Sequence, residues 1–178
     1  MRAIVMLFAV GTIGTAAVQA EPIETTINAI GDMGVGESLG KVTFGTSRFE
    51  GVIIRPDLSG LPPGIHGFHV HAKPDCGTGI KDGEETAGVA AGGHFDPRRT
   101  GSHEGPYGRG HLGDLPVLHV AEDGTATTPV LAPRLNLADL RGRAVIVHQG
   151  GDNYSDEPQP LGGGGSRIAC GIIPVKDS

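Results

Sequence analysis

Short runs of alternating apolar and polar residues recur along most of the chain, and they predict many β-strands and little helix. Residues 67–71 give the clearest example, because successive side chains of a strand point to opposite faces. Phe68 and Val70 are therefore expected on one face, and His69 and His71 on the other. Turn-forming residues separate the runs. The predicted strands are residues 22–30, 39–46, 49–56, 64–71, 116–121, 126–132, 143–148 and 167–173.

Eight short antiparallel strands predict an all-β fold, either a sandwich or a flattened Greek-key barrel. Residues 135–140 have room for one turn of helix only. Two long insertions, at about 72–115 and 149–166, follow strands that end in His71 and His148. Both insertions are expected at the same rim of the barrel, and loops on a rigid scaffold are where function concentrates.

The first twenty residues have the pattern of a secretory signal peptide. Arg2 is followed by an apolar or small-residue stretch, and the segment closes with Val18-Gln19-Ala20, a cleavage pattern of small residues. A transmembrane anchor is the competing interpretation, but the apolar stretch is shorter than the roughly 20 residues that a span requires. Removal of residues 1–20 leaves residues 21–178 as one exported domain.

The net charge and the cysteine content limit the partners and the cross-links that the chain can be expected to have. The net charge is −6, and without Arg2 it becomes −7, which disfavours nucleic acid or an anionic membrane as a partner. Cys76 and Cys170 are the only cysteines, and in an exported protein an isolated pair predicts a disulfide. Two free thiols, or two thiolate metal ligands, are the alternatives.

Residues 92–116 are rich in glycine, proline and charge, so they predict a long loop that needs something other than a core to order it. His94, His103, His111 and Asp114 lie in this loop. Three imidazoles and one carboxylate form a closed tetrahedral set for Zn²⁺. The alternative is a solvated polar loop whose histidines have no ligand.

A second group of histidines is predicted at strand ends. His69 and His71 share a strand face, and His148 ends the apolar run that precedes it. Imidazole is a good ligand for copper as well as for zinc. The sequence therefore predicts two metal centres, one in a loop and one at the ends of strands.

Several motifs together resemble the copper/zinc superoxide dismutases: GFHVH, AGGHFDP, HLGDLP, the strand end VIVH, and GGGGSRIACG. The leader and the insertion DNYSDEPQPLGGGG are similar to the exported bacterial branch of that family, which implies a periplasmic location. The resemblance implies dismutation of superoxide to O₂ and H₂O₂ by alternating reduction and reoxidation of copper, with one copper and one zinc per subunit.

The resemblance also implies roles for particular residues. The implied copper ligands are His69, His71, His94 and His148, and the implied zinc ligands are His94, His103, His111 and Asp114. His94 would therefore bridge the two metals. Asp152 would link one copper ligand to one zinc ligand, Arg167 would lie beside the open copper face, and Cys76–Cys170 would be the disulfide of the family.

For several other residues the sequence predicts a less specific role. Lys73 and Lys81, in the loop after His71, are candidates for steering the superoxide anion, although both fit ordinary solvated lysines equally well. His66 is expected to make a structural hydrogen bond, and His119 is expected at the surface of a strand. The glycine tract 162–165 lacks the Lys-Ser/Thr of a phosphate loop, so it is expected to let backbone pack tightly beside the metals.

Two other functional classes compete with an enzyme. One is a periplasmic copper/zinc-binding protein without turnover, and the other is a catalytically silent domain of the same fold. Copper carriers favour exposed Met or Cys ligands for Cu⁺, and Met33 is the only methionine after the leader. The expected partner is therefore superoxide as a substrate, in a monomer or a homodimer, with no nucleic acid and no membrane anchor.

Overall fold

A computed structural model describes residues 20–175 of the chain. The predicted leader lies outside the described residues, apart from Ala20. Within this range the chain forms strands and one short α-helix: β1 (Ile23–Gly31), β2 (Gly34–Thr46), β3 (Val52–Leu58), β4 (Gly64–His66), β5 (Phe68–His71), β6 (Gly79–Lys81), β7 (Glu84–Thr86), β8 (Leu118–Val120), β9 (Val130–Ala132), α1 (Leu137–Leu140), β10 (Arg143–His148) and β11 (Arg167–Ile173). It also forms two short 3₁₀ helices, Val89–Ala91 and Pro160–Gly163. No helix among these residues is long and apolar enough to cross a membrane.

The main sheet is antiparallel and has seven strands in the order β5-β10-β11-β1-β2-β3-β9. β4 pairs with β8, and β4 leads directly into β5. Leu58, at the end of β3, pairs with Ala126, which extends the pairing of β3 and β9 beyond β9 itself. Because β5–β10, β11–β1 and β3–β9 are neighbours without being consecutive, the connections are of Greek-key type. The predicted all-β, flattened-barrel fold is confirmed.

The alternation of residues explains which side of each strand is buried. In β1, Ile23, Thr25 and Ile27 are buried, whereas the intervening residues are exposed. β10 is different, because Ala144 through His148 are all buried. Such a continuous apolar run is typical of a strand that is covered on both faces.

Two separate clusters cover the two faces of β10. Val145 and Val147 belong to the main core inside the barrel, together with Phe68 and Val70 of β5. Ala144 and Ile146 belong to a second cluster that includes Cys76 and Cys170. The first insertion therefore covers the outer face of the barrel wall.

The disulfide between Cys76 and Cys170 joins this insertion to β11. The predicted pairing is confirmed. Because side chains alternate along a strand, His69, His71 and His148 have the parity of the outer face, under the insertion.

Several strand boundaries differ from the prediction. The predicted strand 64–71 is interrupted at Gly67, whose amide bonds to the carbonyl of Gly150 instead of a neighbouring strand. The predicted strands 116–121 and 126–132 keep only the three-residue β8 and β9, and β2 starts five residues earlier than predicted. Counting β4 and β5 together, and leaving aside β6 and β7, gives the predicted eight strands.

The hairpin of β6 and β7 lies inside the first insertion and was not predicted. Asp82 and Gly83 form its two-residue turn, and both have positive φ, +54° and +87°. An Asp-Gly pair is a strong signal for such a turn. The predicted single turn of helix is confirmed as α1, which is capped by the carboxylate of Asp139 at the amide of Asn136.

Candidate metal centre

The first insertion folds back onto the free edge of β5, and this brings distant residues together. The amide of Val70 donates to the carbonyl of Gly113 (2.9 Å), and the amide of Phe95 donates to the carbonyl of Val70 (2.8 Å). Short β-bridges place His94 opposite His71 and Asp114 opposite His69. Backbone pairing at one strand edge therefore positions the side chains of both predicted centres.

Among the described residues, three groups of side chains have ligand atoms within 4.8 Å of one another, and one of them is His69, His103 and Asp152. The other two correspond to the predicted centres. The four-histidine group consists of His69, His71, His94 and His148, and the His₃Asp group consists of His94, His103, His111 and Asp114. Their members are all buried. The structure thus brings together every predicted ligand, and His94 belongs to both groups.

The hydrogen bonds of His71 and His148 determine which ring nitrogens carry protons. Nδ1 of His71 donates to the carbonyl of Gly92 (2.9 Å), and Nδ1 of His148 donates to the carbonyl of Gly165 (3.2 Å). Since a carbonyl only accepts, the proton of each neutral ring is on Nδ1 and the lone pair is on Nε2. The two Nε2 atoms face each other at 3.3 Å. Two lone pairs at this distance repel each other unless a cation lies between them.

Other ring nitrogens are buried without a hydrogen bond. Nε2 of His69 is bonded to Asp152 (2.8 Å), which leaves its Nδ1 unpartnered. Nε2 of His94 is also buried with no hydrogen-bond partner among the described residues. Unpaired buried polar atoms are rare and require an explanation. Converging imidazole nitrogens suit copper or zinc, and a set of three histidines and one aspartate suits zinc. The donor set therefore fits both ions.

Burial keeps the histidines of the four-histidine group neutral. It lowers the pKa of His94 to about 3 and the pKa of His148 to about 2, and it lowers the pKa of His71 well below its usual value. A charged imidazole loses its hydration in such a site, so the neutral ring is favoured. Neutral rings have the lone pairs that a metal ligand needs.

His103 behaves differently because a carboxylate lies against each of its nitrogens. Its Nδ1 lies 3.0 Å from Oδ2 of Asp114, and its Nε2 lies 2.8 Å from Oδ1 of Asp152. Burial lowers the pKa of His103, but the two carboxylates outweigh it and raise the pKa to about 9. The same contacts hold the pKa of Asp114 and of Asp152 well below the usual range, against the effect of burial.

Asp152 contacts one histidine of each group. One oxygen of its carboxylate contacts His69 and the other contacts His103. The glycine tract leaves room for this contact, because a Cβ on Gly162 would lie 1.9 Å from Oδ1 of Asp152. A Cβ on Gly164 would lie 3.2 Å from the ring of His148. The predicted tight packing of these glycines beside the metal ligands is confirmed.

Arg167 borders an open cleft next to the four-histidine group. Its guanidinium donates to the carbonyls of Gly88 and Gly92, with Nη2 2.7 Å from the Gly92 oxygen. The Gly92 carbonyl also accepts the hydrogen bond of His71, so the cation and this histidine share one anchor. The cleft has a volume of about 500 Å³ and is lined also by Gly93, Gly165 and Ser166.

The two lysines are both exposed near this region. Lys81 is exposed on β6 and lines the cleft. Lys73 is exposed, and its Cδ and Cε lie 3.9 Å from the Cβ position of Gly92. Both positions are compatible with the predicted steering role.

The remaining histidines are placed as predicted. His66 is buried and its ring bonds to the carbonyls of His148 and Pro62, both at 2.8 Å. His119 is exposed on β8. Neither is part of a metal-binding group among the described residues.

Three residues that hold the site together were not predicted. The hydroxyl of Tyr154 accepts a hydrogen bond from the amide of Val117 (3.0 Å), and Asp156 accepts one from the amide of His103 (2.8 Å). Asp156 therefore connects the second insertion to the first, and Tyr154 connects the second insertion to the segment that leads into β8. The third residue, Arg134, bonds to backbone carbonyls of the first insertion. These partners are backbone groups, so no sequence motif indicates them.

Comparison with known proteins gives a consistent assignment. The family model for copper/zinc superoxide dismutase (SODC) matches residues 38–173. Superoxide dismutase [Cu-Zn] of Escherichia coli (strain K12) is 54% identical over 156 residues, which cover 87% of this chain and 90% of the relative.

Solved structures agree with the sequence matches. Cu/Zn superoxide dismutase from Brucella abortus superimposes with a TM-score of 0.84 at 45% identity, over 86% of this chain and 99% of that one. The monomeric copper, zinc superoxide dismutase from Salmonella enterica gives a TM-score of 0.76 at 52% identity, with the same coverage. From the converging histidines, the fold and these similarities together, we conclude that the chain belongs to the copper/zinc superoxide dismutase family.

Proposed function

We propose that the chain converts two superoxide anions and two protons into O₂ and H₂O₂. One observation supports this function above all others: His94 is shared between a four-histidine group and a His₃Asp group. The first group suits a redox-active metal, and the second suits an inert one.

Copper is the ion proposed for His69, His71, His94 and His148, and zinc is the ion proposed for His94, His103, His111 and Asp114. When bound, copper supplies the one-electron chemistry that both half-reactions need, which zinc cannot supply. The protein positions the rings, excludes water from them and controls their protons. Asp152 orients one ring of each group, because its two oxygens contact His69 and His103.

His94 is the residue that we assign to proton transfer. Its Nδ1 lies 2.9 Å from Oδ1 of Asp114, whereas its Nε2 is buried with no hydrogen-bond partner. Nε2 is therefore the atom at which the ring, as a neutral imidazole, would hold a proton and deliver it to the reduced oxygen species. The adjacent carboxylate keeps the ring in one orientation throughout.

Arg167 supplies a fixed positive charge for docking superoxide. Its two carbonyl contacts hold the guanidinium at the cleft, so little side-chain freedom is lost when the anion arrives. Lys73 and Lys81 raise the local positive potential at the same mouth. Charge near the mouth of the cleft matters more for attracting superoxide than the net charge does, since charges farther than about 8–10 Å away are largely screened by salt. A net negative protein can thus attract an anion.

The proposed cellular context is the periplasm, after removal of residues 1–20 as a signal peptide. Residues 21–178 then form a single copper/zinc superoxide dismutase domain that removes superoxide outside the cytoplasm. Of the two oligomeric states considered, the monomer has support from the Salmonella enterica relative, which is monomeric.

The alternative of a metal-binding protein without turnover is not favoured. Storage of a metal needs no cation at an open cleft, whereas docking of an anionic substrate does, and Arg167 lies there. Superoxide consumption separates the two functions. Protein with both metals should consume superoxide, should lose this activity when a chelator removes copper, and should regain it when copper is returned.

The matched variants are His94→Ala, which should be inactive, and His119→Ala, which removes an exposed histidine and should keep full activity. No turnover by fully metallated protein, or turnover that is unaffected by copper removal, would contradict the proposal.

A further inference from the structure

Arg134 binds four backbone carbonyls of one loop segment. Its Nε donates to the carbonyl of Pro106, and its Nη1 donates to the carbonyl of Gly110, both at 3.0 Å. Its Nη2 donates to the carbonyls of Gly105 (3.0 Å) and His111. One side chain therefore provides hydrogen-bond donors near both ends of the loop between His103 and His111.

The four carbonyls belong to buried residues, so they need donors from the protein. Gly105, Pro106, Gly110 and His111 are all buried. A buried carbonyl without a partner costs free energy comparable to a lost hydrogen bond. Without the guanidinium, this segment would have to rearrange toward water, and His111 would move with it.

The loop has few means of ordering itself. Three glycines, Gly105, Gly108 and Gly110, give its backbone high conformational freedom in the absence of contacts. The bonds within the segment include those from the amide of His111 to the Ser102 carbonyl (3.0 Å) and from the amide of Arg109 to Glu104 (2.8 Å). Contacts from outside the loop are therefore important for its shape.

The base from which Arg134 extends is rigid. Ala132 and Leu135, on either side of it, are buried in the main core at 2% and 1% exposure. Pro133 packs closely on Gly51, where a Cβ would lie 2.5 Å from the Pro133 Cα. The guanidinium is thus presented from the barrel wall, and the loop takes its shape from the barrel.

We propose that Arg134 is a positioning residue that sets zinc affinity by holding the His103–His111 loop in its binding shape before the ion arrives. This inference rests on the proposed zinc site. Considered by its charge alone, Arg134 should weaken zinc binding, because a cation near the site repels Zn²⁺. Any gain in affinity must therefore come from geometry, and the five-donor fork of arginine can make these bonds whereas lysine cannot.

The test compares Arg134→Lys and Arg134→Met with the same two substitutions at Arg98. Arg98 is exposed and lines the same cavity of about 230 Å³ beside Arg134, so it is a matched control for charge. Zinc and copper dissociation constants are measured by competition with chelators of known affinity. Hydrogen exchange of the amides of residues 104–111 is measured in the metal-free protein.

Both Arg134 variants should bind zinc more weakly by about tenfold or more, the size of effect seen when supporting contacts of a metal ligand are removed. Copper affinity should change by less than about threefold on the same scale, and exchange in residues 104–111 should accelerate. The Arg98 variants should match the wild type. If Arg134→Met does not fold, Arg134→Lys, which keeps the charge and most of the stem, decides the question.

Wild-type zinc affinity in Arg134→Lys would overturn the inference and leave the proposed function intact. An equal loss of copper and zinc affinity would also overturn it, because that result indicates general destabilisation. A wild-type protein that binds no zinc would instead refute the proposed zinc site and this inference together.

Discussion

Oδ1 of Asp152 lies 2.8 Å from Nε2 of His103. The other oxygen of the same carboxylate lies 2.8 Å from His69, so one side chain orients a ring in each metal group. Because both rings are fully buried, neither has water as an alternative partner. The two groups are therefore coupled through Asp152 as well as through His94.

Asp152→Ala should weaken both metals. Each ring loses the acceptor that fixes its orientation, and such losses reduce metal affinity by about 10–100-fold. Copper and zinc content after dialysis against a chelator measures the effect. Asp32→Ala, at an exposed hairpin tip, is the control and should retain both metals. If only one metal were weakened, the coupling through Asp152 would be wrong.

Tyr154→Phe should lower the free energy of unfolding by about 1 kcal/mol, because the half-buried amide of Val117 loses its acceptor. The ring itself stays, packed on Gly105, where a Cβ would lie 2.6 Å from the Tyr154 Cβ. Urea unfolding of the metal-free protein measures the change. Tyr107→Phe removes a hydroxyl from a side chain that is 70% exposed, and it should have no measurable effect. Equal effects at the two positions would count against this role of Tyr154.

Much of the fold and the site could be predicted because they depend on local patterns. Alternation in β5 gives His69 and His71 one face and gives Phe68 and Val70 to the core. The proposed ligands are histidines and one aspartate, and few roles other than metal binding bring such side chains together.

The unpredicted parts depend on contacts between distant backbone groups. Arg134 is separated from its carbonyl partners by 23 to 29 positions, and Tyr154 is separated from Val117 by 37. No pattern in the sequence specifies such partners. The shortening of the predicted strand 126–132 has a similar origin, since only residues 130–132 and Ala126 find partners on β3.

Arg167→Ala should reduce the rate of superoxide consumption by about tenfold at low salt, and should weaken the dependence of the rate on salt. Metal content should not change, because the hydrogen bonds of Arg167 go to the backbone carbonyls of Gly88 and Gly92. Arg55→Ala, at an exposed position of β3, is the matched control. Loss of copper from Arg167→Ala would show that the residue supports the metal instead of the substrate.

Zinc binding should weaken as pH falls from about 9 toward neutrality. The carboxylates raise the pKa of His103 to about 9 in the metal-free protein, so a proton occupies this ring and must leave when zinc binds. Below that pH, each unit should lower the apparent zinc affinity by about tenfold through this proton. Zinc titrations at three pH values, with proton release followed by a dye, measure the effect. A zinc affinity that does not change between pH 7 and pH 8.5 would contradict the assignment.

The same proton affects stability with the opposite dependence on pH. The pKa of His103 in the folded, metal-free protein is higher than the usual histidine value of 6.5, so the proton stabilises the fold fully below pH 6.5. This contribution is lost as pH rises through about 9. Zinc held by His103 and Asp114 would take the place of the lost proton beside Asp114 and would offset this loss of stability at high pH.

The most direct test of the shared imidazole is a crystal structure of the protein with copper and zinc supplied, with anomalous diffraction recorded at both absorption edges. The expected result is a zinc peak about 2.0–2.1 Å from Nδ1 of His94 and a copper peak at a similar distance from Nε2 of the same ring. Two separate metal positions with no common ligand at His94 would contradict the account.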